Sequence, residues 1–126
     1  MESAKRLLIA DDDPDIIDLL ESYFKRAGYD VTAKVNGKDA LQAAEAEKFD
    51  LVLLDVMMPK KTGFEVCQAL RASDDLQAIK ILMLTAKGRD TDVAKGLALG
   101  ADAYITKPFS TRELVLKVAE LLRQSA

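Results

Sequence analysis

Short apolar runs recur at residues 7–10, 51–54, 79–84 and 103–105, and none shows clear polar alternation, which is the pattern of strands covered on both faces. Residues 30–35 alternate more and read as an edge strand. Between these runs the apolar residues fall at helical spacing. The first such segment carries Ile16, Ile17, Leu20, Tyr23, Phe24 and Ala27 on one stripe, with Pro14 suited to its first turn and Gly28 to its C-terminal stop. A second helix is expected after Asn36, with Ala40, Leu41, Ala43 and Ala44 facing the sheet. A third has Thr62 and Glu65 in capping-box spacing, followed by Val66, Cys67 and Leu70 on one stripe. The fourth, residues 91–99, contains Gly96, which costs about 1 kcal/mol against alanine in a helix interior and makes this helix the least secure. The fifth opens with a second capping-box pair, Ser110 and Glu113, and continues through Leu114, Val115, Val118, Leu121 and Leu122.

Five strands alternating with five helices through short connections predict an α/β fold: an open five-stranded parallel sheet with helices on both faces. The right-handed crossover rule leaves few topologies, and the doubly wound, flavodoxin-like order 2-1-3-4-5 is the common five-stranded one. A chain of 126 residues fits one domain, and with no linker, repeat or low-complexity tract, no second domain is expected.

Ligands of such sheets bind beyond the carboxyl ends of the strands, where the strand order reverses. The first strand ends in Asp11, Asp12 and Asp13, the third in Asp55, the fourth in Thr85 and the fifth in Lys107; the second ends without such a group. Carboxylates gathered from different strands repel one another, and a cation relieves the repulsion. Oxygen-only ligands favour a hard ion that keeps several waters, so Mg²⁺ is expected, with Mn²⁺ able to substitute. A carboxylate beside such a metal can attack phosphorus and form an acyl phosphate, with Lys107 as a point cation and Thr85 as a hydroxyl donor for the phosphoryl oxygens. Each residue also has a bland explanation. Asp13 before Pro14 is better read as a helix N-cap, whereas Asp11 and Asp12 are assigned to the metal. Asp55 alone would be an ordinary turn residue, Thr85 and Lys107 solvated surface groups, Pro108 a helix-entry proline, and Met57 and Met58 packing residues. Cys67, on an apolar stripe, reads as a buried small hydrophobe.

Composition narrows the chemistry. With 18 basic and 21 acidic residues the net charge is -3, so no general basic field exists for nucleic acid. Histidine is absent and Cys67 is the one cysteine, which excludes disulfide frameworks, Cys/His zinc clusters and Ser-His-Asp catalysis within these residues. The stretch 1–6 carries two basic residues, but the apolar run after it is too short for a signal segment, and no later run suffices for a membrane span. A cytoplasmic protein without membrane contact is expected.

The segments Leu8-Ile9-Ala10-Asp11-Asp12-Asp13, Leu53-Leu54-Asp55-Val56-Met57-Met58-Pro59, Leu84-Thr85-Ala86 and Gly100-Ala101-Asp102-Ala103-Tyr104-Ile105-Thr106-Lys107-Pro108-Phe109 resemble the receiver domain of bacterial two-component response regulators. The similarity covers almost the whole chain, so residues 1–126 are expected to form a single receiver domain, and the 2-1-3-4-5 order is also what this family implies. The resemblance implies that Asp55 is the phosphoacceptor. It gives Asp11, Asp12, Asp55 and the backbone carbonyl of Met57 as Mg²⁺ ligands, Thr85 as the switch hydroxyl and Lys107 as the phosphate-binding lysine. Tyr104 takes the place of the aromatic switch, and Lys107-Pro108 that of a cis peptide. It also implies a histidine kinase or histidine phosphotransfer protein as donor, and a downstream effector read through the fourth helix, fifth strand and fifth helix. The domain would not be a conventional enzyme, although self-catalysed phosphoryl uptake and slow autodephosphorylation are expected.

Two departures stand out. Many receivers have an acid before the glycine after the third strand, where this chain reads Lys60-Lys61-Thr62-Gly63. The winged-helix branch usually has two acids before the fifth-strand aromatic, and here the second is Ala103, so a monomer or weak dimer is expected. Three rival readings are a flavodoxin-like nucleotide or flavin module, a phosphoaspartate hydrolase and a receiver-like scaffold that is never phosphorylated. The first would need a glycine- or hydroxyl-rich loop where three acids stand, and the second a cap domain. An intact Asp, Thr and Lys set argues against the third.

Overall fold

The computed structural model describes residues 4–86 and 89–124; residues 1–3 of the basic N-terminal stretch and 125–126 at the chain's end lie outside the described residues. The elements are β1 (Arg6–Ala10), α1 (Pro14–Arg26), β2 (Asp30–Lys34), α2 (Gly37–Ala46), β3 (Leu51–Asp55), α3 (Gly63–Ala72), β4 (Lys80–Ala86), α4 (Asp90–Ala98), β5 (Ala103–Lys107) and α5 (Thr111–Arg123). All strands pair in parallel, in the order β2-β1-β3-β4-β5. The strand order therefore reverses between β1 and β3, as expected.

The sheet divides the interior into two cores. On one face Leu8, Val52, Leu54, Ile81 and Met83 pack with Ala40 and Ala44 of α2 and Val66, Cys67 and Leu70 of α3. On the other, Leu7, Ile9, Leu51, Leu53, Leu82 and Leu84 pack with Ile17, Leu20 and Phe24 of α1 and Leu114, Val118 and Leu121 of α5. The central strand β3 is buried at all five positions, since it has strands on both sides and helices on both faces.

Local chemistry sets the helix ends. Asp13 caps α1 by accepting from the Asp15 amide at 2.9 Å, and Gly28 follows that helix at φ +99, a conformation that favours glycine. Asn36 caps α2, accepting from the Asp39 amide at 2.8 Å. Thr62 and Glu65 form a full capping box on α3. Ser110 accepts from the Glu113 amide, but the Glu113 carboxylate makes no return bond, so only half of the second expected box forms. The N-cap of α4, Arg89, gives no side-chain cap.

Several boundaries shift for physical reasons. Tyr23 and Ala27, expected on the buried stripe of α1, are exposed because the stripe narrows to Ile17, Leu20 and Phe24 where it meets the sheet. The β4 strand starts at Lys80 and runs on through Thr85 to Ala86, while β5 extends to Lys107, so Thr85 and Lys107 are held by strand hydrogen bonding rather than by loops. The run 103–105 is not covered on both faces: β5 is the second edge strand, and Tyr104 is 43% exposed. Helix α4 is Asp90–Ala98, one residue earlier than the expected 91–99.

Candidate functional site

Asp11 and Asp55 leave the carboxyl ends of adjacent strands, β1 and β3, and both are buried, at 0% and 6% exposure. Asp12, one residue beyond Asp11, is exposed. One carboxylate oxygen from each of Asp11, Asp12 and Asp55 lies within 4.8 Å of the others. Lys107 crosses from the end of β5, on the far side of β4, and places its ammonium 2.9 Å from Asp11 Oδ2 and 3.4 Å from Asp55 Oδ2. The Asp13 amide donates to Asp11 Oδ1 at 3.0 Å and the Met57 amide to Asp55 Oδ1 at 3.3 Å, which fixes both carboxylates.

Burial, and then the neighbouring charge of Asp11, push the Asp55 carboxyl up to about 6, against the pull of Lys107 and the Met57 amide. Burial works against the charge of Lys107, but its bonds to Asp11 and Asp55 outweigh it and raise its pKa above the ordinary lysine value. The ammonium therefore stays charged beside two buried acids. Three hard oxygen donors in this space, one open to water, suit a cation of the Mg²⁺ type that retains part of its water shell.

Thr85 is the penultimate residue of the adjacent strand β4, next to Leu84, which pairs with Asp55. Its hydroxyl is buried and has no hydrogen-bond partner, alone in this among the described side chains. An orphaned buried donor is costly, and a functional role is one of the reasons a fold keeps one. Thr85 also lines a cleft under α4 with Val56, Gly96, Leu97 and Tyr104, too narrow to admit water. The Met57 side chain is 64% exposed, and its backbone amide faces Asp55. The Lys107-Pro108 peptide is cis, as expected.

The loop after β3 folds back on the strand end. The Gly63 amide donates to the Val56 carbonyl at 2.9 Å, and a Cβ on Gly63 would overlap the Asp55 carbonyl oxygen. Gly37 is likewise held against the Lys61 carbonyl with no room for a side chain. Cys67 is buried and burial pushes its thiol up, so it is inert packing, as expected.

A residue that the sequence pattern does not single out is Arg71. Its guanidinium donates to the carbonyls of Gly100 (2.8 Å), Gln77 (2.9 Å) and Ile79 (2.7 Å) and to Asp102 Oδ2 (2.8 Å), tying the end of α3 to the loop between α4 and β5. Asp102 in turn accepts from the Ile81 amide at 2.8 Å.

A sequence profile of the response regulator receiver domain matches residues 7–119. The chain belongs to that family. Over 121 residues, 96% of its length, it is 49% identical to the alkaline phosphatase synthesis transcriptional regulatory protein PhoP of Bacillus subtilis (strain 168), and it spans 50% of that relative's length. Among solved structures, a CheY-like receiver domain protein from Methanospirillum hungatei JF-1 is 32% identical, with a TM-score of 0.92 over 98% of this chain and 97% of that one. The chemotaxis response regulator CheY4 of Vibrio cholerae is 31% identical, with a TM-score of 0.89 over 94% and 99%. The receiver fold inferred from the strand ends and motifs is thus the observed one. Receiver domains work in two-component signalling, between a histidine kinase and an effector, as phosphorylation-dependent switches. No described helix is long and apolar enough to cross a membrane.

Proposed function

We propose that Asp55 is the phosphoacceptor of this receiver domain and that Thr85 and Lys107 are its phosphoryl-binding partners. The observation that carries this reading is a buried carboxylate at the end of the central strand, flanked by Asp11 and Lys107, with the partnerless Thr85 hydroxyl at the end of the adjacent strand.

An Asp55 carboxylate oxygen attacks phosphorus. The bond from phosphorus to the donor's imidazole nitrogen, or to the carboxyl oxygen of a small acyl phosphate, breaks, and the leaving group departs with the electron pair. The product is an aspartyl phosphate. Phosphoryl transfer needs positioning and charge neutralisation more than acid-base groups, and this site has both elements. Lys107 offers a full positive charge and Thr85 an unspent donor for the new oxygens. Asp11, Asp12, Asp55 and the carbonyl of Met57 would hold Mg²⁺, or Mn²⁺ in its place; the bound ion supplies charge neutralisation for the phosphoryl oxygens. Water attacking the same phosphorus returns Asp55 and inorganic phosphate, a slow autodephosphorylation.

The donor is a histidine kinase or histidine phosphotransfer protein, which brings the histidine that this chain lacks. The output runs through α4, β5 and α5. Drawing the Thr85 hydroxyl toward a phosphoryl oxygen opens the cleft it shares with Tyr104, and Tyr104, now 43% exposed, turns inward. A downstream effector then reads that face. We assign no nucleic-acid or membrane contact to this domain, a cytoplasmic location, and a monomeric or weakly dimeric state.

Treatment with acetyl phosphate and Mg²⁺ should add one phosphate to the intact mass, and Asp55→Asn should abolish the gain. Equal labelling of that variant would remove Asp55 from the role.

A further inference from the structure

Three lysines lie on the segments that leave the carboxyl ends of β2 and β3, the end of the sheet at which Asp11 and Asp55 stand. Lys60 and Lys61 lie in the loop that returns to Asp55, and the Gly37 amide donates to the Pro59 carbonyl at 3.4 Å, which ties this loop to the start of α2, where Lys38 follows. Lys38 and Lys60 are exposed and Lys61 is half-buried. None of the three is paired with a carboxylate among the described residues, although the chain carries more acids than bases.

Two of these lysines stand where local energetics disfavour them. Lys60 has φ 70, and it is the one non-glycine residue with positive φ among those described. Glycine or asparagine would fit there without the backbone strain that a lysine incurs. Lys38 is the second residue of α2, and a cation in the first turn opposes the helix dipole. Neither position is explained by stability, and both place charge on one rim.

We infer that Lys38, Lys60 and Lys61 form a cationic collar that steers a dianionic phosphodonor toward the carboxylates, an inference that rests on Asp55 being the phosphoacceptor. The site needs such help. The donor's phosphoryl group must approach Asp11, Asp12 and Asp55, whose charges Lys107 and a divalent ion would balance but not exceed, and Lys107 is held in bonds to two of the three. Uncompensated cations on the rim add a net attraction at longer range. Steering of this kind changes association rates by tenfold or more and fades as salt screens it.

The test is the second-order labelling rate with two small donors, acetyl phosphate, a dianion, and phosphoramidate, with one net negative charge, at fixed Mg²⁺. For the double variant Lys60→Glu/Lys61→Glu at low ionic strength, labelling by acetyl phosphate should fall about tenfold and by phosphoramidate about threefold. Both rates should converge on wild type near 0.5 M salt, about the range where the Debye length falls to a few ångströms. Lys60→Gly separates charge from folding: relief of the left-handed strain should hold or raise its Tm while labelling slows about twofold. Wild-type labelling with unchanged variant rates overturns the collar alone, as does a loss that is equal for both donors and insensitive to salt. Failure of the wild type to label at all overturns the phosphoacceptor reading itself.

Discussion

Replacing Asp55 by asparagine should stabilise the metal-free protein at neutral pH, although it removes half of an ion pair. Burial first, and then the charge of Asp11, push the Asp55 carboxyl up from 3.8 to about 6. A displacement of two units is worth about 3 kcal/mol. The sign follows from proton linkage. A group whose folded pKa is raised contributes stability that is complete below its unfolded value near 3.8 and is lost as the pH rises through about 6. Above pH 7 the wild type therefore carries the whole cost of an ionised Asp55. Asparagine keeps the shape and an acceptor for the Met57 amide, 3.3 Å away in the wild type, and is never charged. In EDTA at pH 7.5 the variant should be more stable by about 2–3 kcal/mol, and the difference should shrink toward zero by pH 4. Urea titrations at pH 4, 6 and 7.5 measure this, and the difference between the two proteins cancels the other carboxylates that titrate in the same range. Saturating Mg²⁺ should narrow the gap at pH 7.5, because it stabilises the folded wild type through the full set of carboxylates. A variant that is less stable than wild type at pH 7.5 in EDTA, or a difference that does not change with pH, would refute the reasoning.

Lys107→Ala leaves Asp11, at 0% exposure, without its cation, and should cost about 2–3 kcal/mol in EDTA and less with Mg²⁺, measured by the same titrations. In the presence of beryllofluoride this variant should also lose the amide-exchange protection that wild-type α4 and β5 gain. Gly96→Ala should stabilise by about 1 kcal/mol, since a Cβ there would make ordinary contacts of 3.5 Å to Met83 and 3.8 Å to Phe64 while removing the glycine penalty; thermal melting decides. Gly63→Ala, by contrast, forces a Cβ onto the Asp55 carbonyl oxygen and should cost several kcal/mol or prevent folding, read by circular dichroism.

The strands and the residues at their ends were legible because each apolar run stops at a polar residue that the sheet then lines up. Asp11, Asp55 and Lys107 are far apart in sequence, yet parallel pairing in the 2-1-3-4-5 order brings them within bonding distance. The periphery was less legible. Ala103, Tyr104 and Ile105 have the composition of a covered strand, and only their place at the end of the sheet order exposes Tyr104. Arg71 reads as a last-turn helix cation, but three of its four acceptors are backbone carbonyls from two loops, which no side-chain pattern announces. Asp102 stands in the sequence only as part of a motif, and its bonds to Arg71 and the Ile81 amide depend on the register of β4. The missing partner of Thr85 is invisible in sequence for the same reason: satisfaction of a hydroxyl depends on what the fold brings near it.

The Arg71 network also bears on how α4 can move. At its C-terminal side the helix runs into Gly100, whose carbonyl is held by Arg71 at 2.8 Å and whose φ of +111 suits glycine, and into Asp102, bonded to both Arg71 and β4. At its N-terminal side Arg89 provides no side-chain cap, and Gly96 weakens the middle without being required by packing. A helix fixed at one end and weakly held at the other responds to a push by pivoting rather than by translating. The push in the proposed switch comes from Thr85 and Tyr104, which line a cleft along the underside of α4 that runs from Asp92 and Val93 to Leu97. Arg71→Ala, which releases the pivot, should therefore do more than lower stability: with beryllofluoride, amide-exchange changes should spread into the α4–β5 turn, residues 99–102, which the wild type should leave unchanged while α4 and β5 respond. If the change in the variant stays confined to α4, the anchor does not set the pivot, and α4 moves independently of the end of α3.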